Sequence, residues 1–147
     1  MARIATVEAP VAPARVWEIL SDGWRYAAWV VGASRIRAVD TAWPEAGTRI
    51  HHSVGLWPLL LDDRTEVRSM VPERELVLRA RAWLFGKAEI RITLEPTPAG
   101  GTRVGMAEHV VAGPYALVPD RVQEELVLPR NQECLRRLVL LAEGATE

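Results

Sequence analysis

Glu108 lies in a segment, Thr102 to Val111, in which apolar and polar residues alternate. The alternation groups it with Val104, Met106 and Val110 and against Arg103, Gly105, Ala107 and His109. Burying a carboxylate without a partner is costly, so this position admits two readings. In the first, Glu108 is a pocket carboxyl that protonates, deprotonates or orients a ligand hydroxyl or carbonyl. In the second it pairs with an arginine or sits at the solvated mouth of the pocket. His51 and His52 are adjacent, and neighbouring side chains on a strand point to opposite faces. They therefore cannot hold one metal together. His52 shares a face with Ile50 and Val54 and is expected inside, whereas His51, with Arg49 and Ser53, is expected outside. His52 is thus the second candidate acid–base group. The alternative is a partly buried histidine satisfied by a backbone carbonyl.

Other reactive side chains offer little. Three histidines and one cysteine, dispersed over these faces, have no zinc-ligand spacing, and no metal or cofactor is expected. The single Cys134 excludes an internal disulfide and points to a reducing compartment. Asp62-Asp63, Ser21 and Cys134 have no triad spacing. Six tryptophans are many for 147 residues. Trp29 is expected to wall the pocket entrance and Trp17 to anchor the core. Trp57-Pro58-Leu59-Leu60-Leu61 is an apolar hairpin tip: a lid, a dimer contact, a membrane-touching tip, or a segment folded back over the core.

The elements that would position these residues follow from pattern. Hydrophobic residues make up 49% and charged ones 25% of the chain, an ordinary globular balance, and the length suits one domain over 1–147. Net charge is −1, which does not draw the molecule as a whole to nucleic acid or anionic membrane. No apolar run is long enough for a membrane span, and no signal peptide opens the chain, so a cytoplasmic location is expected. Residues 2–9 read as a strand. Pro13 suits a first helical turn, and Val16, Trp17, Ile19 and Leu20 form its apolar face. Asp22 is placed as the N-cap of a second short helix to Trp29.

From Ala33 the period changes to two, and six strand-like runs follow, separated by turn residues such as Pro44–Gly47 and Gly100-Gly101. They carry one apolar face and one rich in arginine. Arg35, Arg37, Arg49, Arg64, Arg68, Arg79, Arg81, Arg91 and Arg103 lie there against Glu66, Glu89 and Glu95. That stripe can bind phosphate or RNA, but it lacks a stacking pattern, and a solvated face is the expectation. After Gly113-Pro114 the period becomes helical, over 116–142. Leu128, Leu135, Leu138, Val139 and Ala142 face inward; Arg130, Glu133, Arg136 and Arg137 face outward. Pro129 is expected to kink this helix or restart it. One sheet face is apolar, so the long helix is its cover.

One strand, two short helices, six antiparallel strands and a long helix resemble the helix-grip fold of the START-like (SRPBCC) superfamily, in its polyketide cyclase/dehydrase branch. The residues that carry the resemblance are VWEILSDGWRYAAWV at 16–30, Trp43-Pro44 with Gly47-Thr48, GGTRVGMAEHVVAGP at 100–114 and RNQECLRRLVLLAE at 130–143. It implies an α+β fold: a curved seven-stranded antiparallel sheet around a long C-terminal helix. A sheet that grips one helix leaves a cavity, and Ala80, Ala82 and Ala88 would leave room in it. The expected walls are Trp29, Ile50, His52, Val67, Leu78, Ala80, Ile90, Met106 and Glu108, apolar with a few polar groups. Three functions stay open. One is binding of a small apolar ligand of lipid, polyketide or aromatic type. Another is a cofactor-free polyketide cyclase/dehydratase that uses Glu108 or His52. The third is a regulatory or toxin-like interaction domain. No nucleic-acid partner and no integral membrane segment are expected, and the chain is taken as monomer or homodimer.

Overall fold

Alternating strands need a partner on each side and a cover on their apolar face, and the computed structural model supplies both. It describes residues 4–54, 61–81, 86–113 and 117–144. β1 (Ala5–Ala9) leads into α1 (Pro13–Ser21), a short 3₁₀ turn (Gly23–Arg25) and α2 (Tyr26–Trp29). Then come β2 (Ala33–Val39), β3 (Arg49–Val54), β4 (Leu61–Val71), β5 (Glu75–Arg81), β6 (Lys87–Pro96), β7 (Thr102–Ala112) and α3 (Asp120–Gly144). The strands form one antiparallel sheet in the order β1-β7-β6-β5-β4-β3-β2. Consecutive strands are neighbours from β2 to β7, and β1 closes on β7. The two short helices therefore carry the chain from one sheet edge to the other.

Local chemistry explains the crossing. Pro13 opens α1, where its missing N–H costs nothing. The Asp22 side chain accepts from Trp24 N and caps the 3₁₀ turn. Gly23 packs so tightly on the sheet that a Cβ would meet Val39 and Ile50. Trp43 Nε1 donates to the Leu20 carbonyl and pins the end of α1. Gly100, at φ +85, makes the tight turn between β6 and β7 that few other residues adopt at low cost.

One cluster of buried side chains unites the elements: Val16, Ile19 and Leu20 of α1, Tyr26 and Trp29 of α2, the concave face of the sheet, and Leu135, Leu138 and Ala142 of α3. α3 begins at Asp120, four residues later than the periodicity suggests, and Pro129 lies inside it on its exposed side without ending it. Among the described residues, its close backbone approaches to the sheet fall on β1 and β7, and α1 and α2 flank it. The helix thus lies toward one side of the concave face.

Two expectations need correction. Trp29 does not stand at an entrance: it is 2% exposed within the core, whereas Trp17 is only partly buried. Arg130 does not turn outward but reaches back across the fold, as described below. On the outer face Glu8, Glu75 and Asp62 join Glu66 and Glu89 in pairing with the arginines. The Trp57–Leu60 part of the apolar tip and Ala82 lie outside the described residues.

A buried polar chain on the concave face

The register sets two adjoining rows across the concave face. One runs Glu108, Ile90, Leu78, Val67. The other runs Val110, Ala88, Ala80, Thr65, Ile50, Val39. Ile50, Val67, Leu78, Ile90 and Met106 are all at most 3% exposed. Ala80 and Ala88 stand side by side next to Thr65, so the strip beside the threonine hydroxyl is built of the smallest side chains.

That hydroxyl links two elements. Thr65 Oγ1 lies 2.8 Å from His52 Nε2 and 3.2 Å from Tyr26 Oη, both bonds buried. The Tyr26 and His52 rings also meet, 5.5 Å apart and tilted by 33°. Asp63, buried and opposite His52 in the β3–β4 register, supplies a nearby negative charge. Burial pushes the Tyr26 phenol up to about 12, so it stays protonated. Burial likewise lowers the His52 pKa from 6.5, an effect that Asp63 and the Ser53 backbone partly offset. The imidazole is thus held neutral. Its Nδ1 is buried and forms no well-aligned hydrogen bond. If Nε2 accepts from Thr65, Nδ1 carries the proton; if Nε2 donates, Nδ1 is a bare acceptor. In either tautomer one ring nitrogen keeps hydrogen-bonding capacity.

A lowered histidine pKa has a definite sign. The unfolded chain binds the proton more readily, so the contribution of His52 to stability is complete above 6.5 and is lost as pH falls below it. Stability by urea unfolding is expected to fall between pH 7 and 5 in the wild type, and less steeply in His52→Gln. Parallel curves for the two proteins would show that His52 titrates alike folded and unfolded.

Glu108 meets a partner from α3. Its Oε2 lies 3.1 Å from Arg130 Nη1, and the two side chains are 13% and 34% exposed. Arg130 Nε donates to the Val31 carbonyl at 3.1 Å, and Nη1 reaches Asn131 Oδ1 at 3.4 Å. One guanidinium therefore ties β7, α3 and the turn after α2 together. Of the two readings of Glu108, the geometry is that of the arginine pair. Cys134 is buried beneath this knot, where Sγ accepts from Val31 N at 3.3 Å and burial pushes the thiol pKa up, so it is no ready nucleophile. His51 faces outward, 3.8 Å from Asp40, and His109 is exposed. Among the described residues no three His, Cys, Asp or Glu side chains converge as a metal site.

Sequence reasoning brought His52 to this site and missed Tyr26, Asp63, Thr65 and Arg130. The alternation of Asp63, Thr65 and Val67 on β4 carried the signal for two of them. Nothing local marked Tyr26 or Arg130, whose partners lie 39 and 22 residues away.

A curved antiparallel sheet, a long C-terminal helix over it and two short helices after the first strand define a helix-grip protein with a concave interior. The family model described as polyketide cyclase / dehydrase and lipid transport matches residues 4–143, and the chain belongs to that family. No curated protein matches the sequence. Among solved structures, the Zhui aromatase/cyclase from Streptomyces sp. R1128 is 19% identical with a TM-score of 0.74, covering 100% of this chain and 96% of that one. A protein from Nitrosomonas europaea is 16% identical, with a TM-score of 0.72 and coverages of 99% and 96%. Ara h 8.0201 is 14% identical, with a TM-score of 0.69 and coverages of 97% and 99%. These likenesses show the fold. No helix among the described residues is long and apolar enough to cross a membrane.

Proposed function

We propose that the chain binds one small, mostly apolar molecule between the concave face and α3, with its polar end at the His52–Thr65–Tyr26 chain. The observation that carries this reading is the buried, hydrogen-bonded polar chain ending in His52, whose buried Nδ1 has the Ser53 backbone nearby but no well-aligned hydrogen bond. A buried polar group whose hydrogen bond is poorly aligned is costly, and a ligand hydroxyl or carbonyl would lower that cost. The small strip of Ala80 and Ala88 beside Thr65 supports a place for the apolar body of the ligand. So does the bias of α3 toward β1 and β7, because it leaves β3 to β5 less closely covered by helix backbone. Ile50, Val67, Leu78, Ile90 and Met106 would supply the apolar walls. Trp29 would support Tyr26 from behind.

The same site supports a second reading, a cyclase- or dehydratase-type reaction. A neutral, buried imidazole is a competent proton acceptor or donor partner, and His52 is then the acid–base group. Glu108, held by Arg130, is a positioning residue in this reading. The reading requires that His52→Gln remove turnover while ligand binding persists.

Ala80→Trp tests the binding proposal. An indole over the small strip is expected to abolish binding of an apolar fluorescent probe. If the strip borders a void, the stability cost should stay below the ~1–3 kcal/mol typical of overpacking a tight core. Strong destabilisation with unchanged probe binding would mean that the alanines pack a solid core. Native mass spectrometry of the purified protein would then name the class of any ligand retained.

A further inference from the structure

The convex face holds a second feature that the concave site does not use. Its central row is a ladder of alternating charge: Arg49, Glu66, Arg79 and Glu89 are successive register partners across β3, β4, β5 and β6. The ladder is largely self-compensated, with Arg49–Glu66 at 2.9 Å, Arg68–Glu66 at 3.4 Å and Arg79–Glu89 at 3.4 Å. The next row carries Arg64 on β4 and Lys87 on β6. Arg64 and Lys87 are exposed and form no ion pair among the described residues.

Between these two rows lies a depression of about 120 Å³ lined by Arg64, Glu66, Arg68, Arg79 and Lys87. Four cations meet one carboxylate there, and that carboxylate already serves Arg49 and Arg68. Arg79 is the most informative member. Its Nε is buried and has no hydrogen-bond partner, although the side chain as a whole is one-third exposed. A buried guanidinium N–H left unpaired is costly, and the group that removes the cost must be an acceptor.

We propose that this convex depression is an anion site that takes a phosphate or phosphate-monoester group, with Arg79 at its floor and Arg64 and Lys87 as counter-charges. A tetrahedral dianion suits the set: arginine offers paired planar donors, and lysine adds a point charge. The site lies on the opposite side of the sheet from the concave face.

Calorimetric titration of the full chain with inorganic phosphate and glycerol phosphate, at low and fixed chloride, tests the proposal. Saturable binding is expected for the wild type. Arg79→Gln and, separately, Arg64→Gln should each weaken it about tenfold or more, whereas Arg136→Gln on the exposed side of α3 should not. Arg64 is exposed and outside the ladder, so its variant keeps the test valid if Arg79→Gln fails to fold. Sedimentation with phosphatidylcholine vesicles, with and without phosphatidic acid, locates the phosphate. Arg64-dependent binding to the acidic vesicles assigns it to a lipid headgroup; binding of the soluble phosphates alone assigns it to a soluble ligand. Absence of saturable phosphate binding, affinity unchanged in both variants, or binding of RNA without binding of phosphate would each overturn the proposal.

Discussion

Trp29→Ala is expected to cost about 3–5 kcal/mol, the range for removing a large aromatic side chain from a packed core. For a chain of this size that is a fall in Tm of about 10 °C or more. Trp29 ends α2, is 2% exposed, and meets Tyr26 edge-on at 5.5 Å and 74°. Such aromatic pairs add to the energy of burial. The loss would also free Tyr26, whose hydroxyl is one end of the polar chain to His52. Probe binding should therefore weaken together with stability. Trp29→Phe retains a ring against Tyr26 and should recover a large part of both. Thermal and urea unfolding measure the effect. A loss below about 1 kcal/mol, with probe binding strongly changed, would return Trp29 to the wall of an open pocket.

Arg130→Met is the second large effect. It strands the Glu108 carboxylate, which is 13% exposed, and frees the Val31 carbonyl. Breaking a buried pair from one side costs about 3–5 kcal/mol. Arg130 is itself one-third exposed, so solvent screening reduces the expectation to about 2–3 kcal/mol. Glu108→Gln should cost less, because the amide oxygen can still accept from Arg130. Arg130→Lys should rescue only in part, since one ammonium cannot reproduce the planar fork that serves Glu108, Val31 and Asn131 together. In Arg130→Met with Glu108→Leu, removal of both charges should restore part of the loss. A coupling energy below about 0.5 kcal/mol in that cycle would mean that the pair is not a structural tie.

The polar chain and the arginine knot give the concave site different roles for its two sequence candidates. His52 keeps a ring nitrogen without a well-aligned hydrogen bond and a neutral imidazole. Glu108 is engaged by an arginine that also holds the backbone of the α2–β2 turn. In the proposed acid–base reading His52 would be the proton-moving group, and Glu108, through Arg130, would hold α3 against β7 beside it.

The alternation of Leu76, Leu78 and Ala80 and of Ile90, Ile92 and Leu94 determined by itself which sheet face is apolar, since side chains on a strand alternate without regard to what lies beyond it. The same rule put His52 inward and His51 outward. The helical stripe of Leu135, Leu138 and Ala142 determined that α3 covers that face, because no other element offers an apolar surface of that length. Only the tertiary structure decided who meets whom. Trp17 and Trp29 are equally apolar in sequence, and the placement of the short helices buries Trp29 fully and Trp17 only in part. Arg130 belongs by periodicity to the polar side of α3, but its long side chain reaches back to Val31 and Glu108. Thr65 links Tyr26 and His52 across 39 and 13 residues of chain. Periodicity reports the face of an element and not the distance between elements, so partnerships of this kind exist only once the sheet has curled around the helix.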